Sequence, residues 1–528
     1  MTETVYLGRI LTMAQPLWAE ALLVKDGRIA AVGSREEVLA QTTPAARRID
    51  LADGVLLPAF IDPHSHFTAC ANGLLQAALE DALCFSDVEQ SIRDYIEHNH
   101  VPAGKWVLGK GYDHNRLAEQ AHPTRQLLDK AAPNNPVMIQ HQSGHVGVAN
   151  TAALELLGIR ADTPSPEGGR IEVKDGQLTG YLEENAFIQA LQKVPMSTPQ
   201  ELADAFDRAQ TLYASYGITT VQEGMFTQQL APLYKGLLLG RLRLDLVGYA
   251  DFTAAETLKS EFAAHVGKYH QRFKLGGYKI FLDGSPQGRT AWMLKEYPGS
   301  NGYRGYPTLP DETVRRALEA SAKEGMQLLA HCNGDAAAEQ YLTAAEQVVK
   351  EYPALSRMRP VMVHAQLATA SQLARMKGVG MMPSFFVAHV SHWGDVHIRN
   401  FGLERASQLS QAGTALRLGL PFTFHQDAPV IPPDMLETVW CAAVRRTHAG
   451  VVLGEDQRIP VLDALRAVTV NAAWQYFEEA DKGTLKVGKR ADLVQLSADP
   501  LALPPDALKT IRVLRTVKDG EDIFNEVD

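Results

Sequence analysis

The apolar positions of the chain follow two different rhythms. Near the start, ALLVKDGRIAAVG (21–33) sets apolar runs on either side of Asp26 and Gly27. An Asp-Gly pair between such runs favours a tight hairpin turn, so residues 1–57 are expected to be β-rich. Near the end, GTLKVGKRADLVQLSADP and IRVLRTVKDGEDIF repeat the short alternating runs, broken at Gly488 and at Asp519 with Gly520. The two ends, 1–57 and 480–528, are therefore expected to form one small β-sandwich domain. Between them YKIFL, DETVRRALEASAKEG, MQLLAH, AAAEQYLTAAEQVVKEY and PVMVHA alternate strand-like with helix-like segments. That alternation marks βα units and a parallel sheet, so the fold class is α/β, with a (β/α)8 TIM barrel over 58–479. Pro- and Gly-rich stretches such as TPSPEGGRIEVKDGQLTG break the rhythm, and an inserted subdomain is expected at about 85–200, as a wall or lid of the active site.

The 528 residues leave room for a large barrel and a second module. Hydrophobic residues are 45% and charged residues 21%, as in ordinary folded enzymes. Lys and Arg total 51 against 61 Asp and Glu, a formal charge of −10 that excludes a basic nucleic-acid footprint. Cys70, Cys84, Cys332 and Cys441 are scattered, without the close pairs of a disulfide framework or zinc knuckle, which fits a reducing compartment. The opening MTETVYLGRILTMAQ has no basic segment followed by an apolar run, and no stretch approaches 18 apolar residues. A cytoplasmic enzyme with no membrane partner is expected, and base rates favour a homodimer.

Candidate chemistry begins at Asp62-Pro63-His64-Ser65-His66, directly after the apolar run VLLPAFI. Side chains two apart on an extended backbone face the same way, so His64 and His66 can clamp one metal. Alone the pair is equally well read as structural histidines. Two further histidines, His331 after MQLLA and His364 after PVMV, end apolar runs in the same manner, and catalytic groups of barrels sit at the C-terminal ends of strands. Asp427 follows FTFHQ and precedes Ala428-Pro429. It suits a carboxylate ligand that also exchanges a proton with water, or else a helix cap or turn. Lys279 in YKIFLDGS shares a strand face with Asp283; from the residues alone, a pair with Asp283 or a chain reaching solvent is the preferred reading. The other reading is an apolar setting that favours a neutral amine, able to take up carbon dioxide as a carbamate.

PAFIDPHSH, YKIFLDGS, LLAHCNGD, VMVHAQ, HQDAPV and GTLKVGKRADLVQL together resemble the amidohydrolase superfamily, over nearly the whole chain. SGHVGVANTAAL, DGQLTGYLEENA, DGSPQGRTAWM and HWGDVHIR are similar to the branch that includes N-substituted formamide deformylases. The resemblance implies that His64 and His66 hold a first divalent metal with Asp427, that His331 and His364 hold a second, and that Lys279 bridges them as a carbamate. Glu184 is a competing acidic bridge ranked below Lys279, and its neighbour Glu183 faces solvent. The pair His425-Gln426 departs from the small residue and Ser that usually precede the aspartate.

The expected reaction is hydrolysis of a small-molecule amide, an N-substituted formamide or N-acyl amine, by water that one or two ions activate, with zinc preferred for imidazole and carboxylate ligands. His145, Trp393 and His397 are candidates for holding substrate or oxyanion, as is His425. A backbone-bonded loop histidine is an equal reading of His145, and a surface ion pair is an equal reading of Arg289, the candidate for an anionic substrate group. The same ligands also serve cyclic amide, ester or lactone hydrolysis, deamination, or isomerisation. A non-catalytic binding barrel would have lost its ligands, and a sugar-processing barrel would need paired carboxylates rather than histidines.

Overall fold

The computed structural model describes residues 3–195 and 197–527. Its organising element is an eight-stranded sheet in which every recorded pairing is parallel and strands neighbour one another in chain order. The strands are β1 (Phe60–Ile61), β2 (Ile218–Phe226), β3 (Asp245–Asp251), β4 (Phe273–Phe281), β5 (Gln327–Cys332), β6 (Val361–His364), β7 (Met382–Phe385) and β8 (Thr423–Phe424). Parallel neighbours need long crossovers, and helices supply them: α1 (Asp311–Glu324) joins β4 to β5, and α2 (Asp335–Glu351) joins β5 to β6. α1 buries Val314, Ala317, Leu318, Ser321 and Ala322, a stripe at helical spacing, carries Asp311 and Glu312 in its first turn, and stops at Gly325 with φ 68°.

The sheet is curled. In a flat sheet, strands about 4.8 Å apart would separate β1 from β8 by roughly 30 Å. Yet His64, just after β1, lies 5.2 Å from His425, just after β8, between ring centres. The C-terminal ends of the first and last strands therefore face each other, as an α/β barrel requires.

Both chain ends meet in a seven-stranded sheet, where Arg47–Pro58 lies between Glu3–Leu11 and Leu493–Leu496. The 21–33 hairpin forms as the sequence predicts: Lys25 pairs with Arg28 across Asp26 and Gly27, at φ 48° and 77°. Strand alternation sends Tyr6, Leu22, Val24, Leu493 and Val517 into one apolar cluster and Val5, Leu7, Leu23 and Ala31 into another, closed by Val38 of the helix Arg35–Leu39. Buried charges tie this sheet to the barrel. Lys482 Nζ lies 2.7 Å from Asp245 and 2.6 Å from Glu478, and Lys518 Nζ lies 2.7 Å from Asp245 and 2.8 Å from Asp492.

Cys70–Arg208 is a second compact unit, starting earlier and ending later than the 85–200 expected of an insertion. It holds its own six-stranded sheet, in which Ala77–Ala78, Val107–Tyr112 and Val137–His141 run parallel while Val146–Ala149, Gln177–Glu184 and Gly169–Lys174 continue antiparallel. Among the described residues no helix is long and apolar enough to cross a membrane.

Candidate metal centre

The side chains that leave the C-terminal ends of β1, β5, β6 and β8 converge on one point. His64 is fully buried, and its Nδ1 lies 2.6 Å from Gln222 Oε1 on β2. The Gln222 amide donates through its nitrogen to Pro63 O (2.6 Å) and to the Tyr476 hydroxyl (2.8 Å), so its oxygen must accept from His64 Nδ1–H. That fixes the tautomer and leaves the Nε2 lone pair facing the centre. His66, two residues on, turns its Nε2 to Asp427 Oδ1 at 3.3 Å, the same distance as His64 Nε2 from that oxygen.

His331 Nδ1 lies 3.1 Å from His364 Nε2, which is 3.8 Å from Asp427 Oδ2. His364 Nδ1 faces His425 Nε2 at 3.1 Å, and His425 Nδ1 meets Ser384 Oγ at 2.9 Å. Two of these residues hold left-handed backbone, His364 at φ 69° and Asp427 at φ 56°. Such strain on non-glycine residues persists only where the surroundings fix it, and here it turns strand ends into the centre. Burial keeps four of the five imidazoles neutral, the form that donates a lone pair: His331 falls to about 4 and His425 to about 3, and His64 and His364 lie well below the ordinary value, whereas for His66 burial is outweighed by the Asp427 and Glu223 carboxylates, which raise it. Burial alone would raise the Asp427 carboxyl, but the close approach of His66, His64 and His364 holds it well below the usual range.

Lys279 corrects the plainer sequence reading. It neither reaches solvent nor pairs with Asp283: it is fully buried on β4, with Nζ 3.2 Å from His64 Nε2. Asp283 instead accepts the backbone N–H groups of Asn333, Gly334 and Trp292 at 2.7 to 3.0 Å, fixing the loop after His331. Burial brings the Lys279 ammonium down to about 7, so a large share is neutral amine near neutral pH.

The other expected residues divide into four groups. His425 lies against the cluster. His397 and Trp393 stand one layer behind it: His397 Nε2 is 3.1 Å from His389 Nδ1, the Trp393 ring is 4.5 Å from that of His389, and Phe386 lies between His389 (4.5 Å) and His425 (5.4 Å). Arg289 is held by its own loop, donating to Pro298 O at 3.0 Å with its guanidinium over Tyr297. His145 and Glu184 belong to the inserted unit, where they pair with each other at 3.0 Å, both largely exposed; Glu183 lies 3.9 Å from Arg170. Sequence reasoning missed Gln222, Glu223 and His389. Glu223 is buried, accepts from Thr68 N–H (2.9 Å) and the Tyr234 hydroxyl (3.1 Å), and lies 4.0 Å from His66 Nδ1. Its signal was a carboxylate inside the apolar run ITTVQEGMF.

The donor set fits a divalent ion. Metal–ligand bonds of about 2.0–2.1 Å in tetrahedral geometry separate ligand atoms by about 3.3 Å, which is the spacing of Asp427 Oδ1 from both His64 Nε2 and His66 Nε2. Asp427 Oδ1 is buried with no hydrogen-bond partner among the described residues, and donor atoms of His64, His364 and Asp427 lie within 4.8 Å of one another. A buried carboxylate oxygen without a donor is costly unless a cation meets it.

Residues 47–524 match the model of the amidohydrolase family, and 21–41 match an imidazolonepropionase-like composite domain of bacteria. The N-substituted formamide deformylase of Arthrobacter pascens is 30% identical over 95% of this chain and 94% of its own length. Two solved structures share the fold. An uncharacterized metal-dependent hydrolase from Pyrococcus horikoshii OT3 is 24% identical with a TM-score of 0.74, covering 96% of this chain and 99% of its own. Another, from Pyrococcus furiosus, is 23% identical with a TM-score of 0.73, covering 94% and 100%.

Proposed function

Because the chain belongs to the amidohydrolase family, we propose that it hydrolyses the carbon–nitrogen bond of an amide, with N-substituted formamides or N-acyl amines as substrates and zinc as its metal. The observation that supports this most is the unpartnered Asp427 oxygen facing His64 and His66 at the barrel mouth. In this reading His64, His66 and Asp427 would hold one ion, His331 and His364 would hold a second, and Lys279, as a carbamate, would contribute a carboxylate to them. The neutral Lys279 amine is the form that adds to carbon dioxide, losing one proton as the N–C bond forms. Divalent ions bound there supply Lewis acidity, lowering the pKa of water and polarising the amide carbonyl.

The chain's own groups do the rest. Asp427 carboxylate takes the proton from the water that adds to the carbonyl carbon, then gives it to the leaving nitrogen as the C–N bond breaks. The products are a carboxylic acid, formate for a formamide, and an amine. His425 meets His364 and Ser384 with its two ring nitrogens and so acts as a positioning residue, and Trp393 and His397 act through His389 in the same way. Asp427→Asn removes the proton acceptor, and a loss of about 10²–10⁴ in kcat is expected.

The substrate test is release of formate and amine from a panel of N-substituted formamides by the metal-loaded protein. Chelator-sensitive release supports the reading. Turnover of lactones or cyclic amides alone would replace the substrate class, and no turnover of any of these would overturn the hydrolysis proposed.

A further inference from the structure

We infer that the unit Cys70–Arg208 carries a metal site of its own, a zinc ion held by Asp113, His114 and His141. The sheet of that unit brings the three together. Val107–Tyr112 and Val137–His141 are parallel neighbours with Tyr112 opposite His141. The residues that follow one strand, Asp113 and His114, therefore emerge beside the last residue of the other.

The three donor atoms form a small triangle. His114 Nδ1 is 3.1 Å from His141 Nε2, His141 Nε2 is 3.5 Å from Asp113 Oδ1, and His114 Nδ1 is 3.9 Å from the same oxygen. These edges bracket the separation of about 3.3 Å that tetrahedral zinc imposes on its ligands. Two imidazoles and a carboxylate are a donor set that suits zinc, and three protein ligands leave one position for water or a small anion. That position has access to solvent, since the side chains of Asp113, His114 and His141 are 13%, 32% and 9% exposed.

Neighbouring groups hold the ligands in place. Asn115 donates to Asp113 Oδ1 from its backbone (2.9 Å) and its side chain (3.1 Å). The His122 ring stacks on His114 at 4.2 Å, and its Nδ1 lies 3.0 Å from the hydroxyl of the buried Tyr112. His141 Nδ1 lies 2.9 Å from Ser143 Oγ, which can accept the ring's remaining proton when Nε2 binds an ion. Without an ion the opposite tautomer serves: Ser143 N–H donates to Nδ1 at 3.1 Å, and Nε2–H bridges to His114 and Asp113.

Zinc alone is the probe. After equilibration with buffered zinc, the full-length protein is expected to retain one equivalent more than a His114→Gln, His141→Gln double variant of the same circular dichroism. Ions in the barrel contribute equally to both, so failure of the barrel reading lowers both counts and leaves the difference. In zinc-soaked crystals of the unaltered protein, an anomalous peak at the zinc edge is expected about 2 Å from the three donors. Equal zinc content in two folded proteins would overturn the site and leave a hydrogen-bonded triad. If the double variant fails to fold, absence of the anomalous peak would do so.

Discussion

Gln222 shows how much of the candidate metal centre is decided by residues outside its donor set. Its amide is oriented by Pro63 O and Tyr476, and it in turn fixes which nitrogen of His64 faces inward. Gln222→Ala is expected to weaken metal affinity 10–100-fold, read by competition with a chromogenic chelator. Beside it, a Cβ on Gly224 would stand 2.6 Å from His64 Cε1 and 2.9 Å from Nδ1, so Gly224→Ala must displace the imidazole. A fall in metal content without loss of fold is expected there; unchanged content would show that His64 is not a ligand. The histidines were legible in the sequence because each ends an apolar run, and the spacing of two set His64 and His66 on one face. Gln222 and Glu223 were not legible, because a polar residue in an apolar run acquires meaning only once β2 is paired beside β1. Lys279 was misread for the same reason: its strand face was right, but its neighbour is His64, 215 positions away, rather than Asp283.

At the scale of elements, the loops at the strand ends carry the site and buried polar anchors set the loops. Asp283, the second residue after β4, receives three backbone N–H groups from the segments that follow it and His331. Asp283→Ala leaves those donors buried without acceptors, and a loss of about 3 kcal/mol in unfolding free energy is expected from urea titration. The alternation of strand-like and helix-like runs made β4, α1, β5, α2 and β6 readable in advance. β1 and β8 were marked only by the apolar runs VLLPAFI and FTFHQ, and their extent was not readable, since each has only two residues in the ladder and depends on neighbours for its geometry. In the terminal sheet the Asp26-Gly27 turn was legible because positive φ at both positions demands such residues.

For the whole molecule, buried charges fasten the terminal sheet to the barrel, and they set a pH dependence. Burial alone would raise the Glu478 carboxyl, but Lys482 and Lys274 bring it down to about 2 from 4.5. A depressed carboxylate stabilises the fold above its unfolded value, and the contribution is lost as pH falls from about 4.5 through about 2. Glu478→Gln is therefore expected to cost ~3 kcal/mol at pH 6, a difference that shrinks below pH 4.5 in urea titrations. A pH-independent difference would contradict the pairing. These contacts link Lys274 and Asp245 to residues beyond 470, a separation that no local pattern in the chain announces. Whether the barrel cluster is a metal centre is measured most directly by elemental mass spectrometry of purified protein beside its His64→Ala and Asp427→Asn variants. At least one equivalent of divalent metal, removable by chelator and lost in both folded variants, is the predicted result; equal metal content in all three proteins would contradict it.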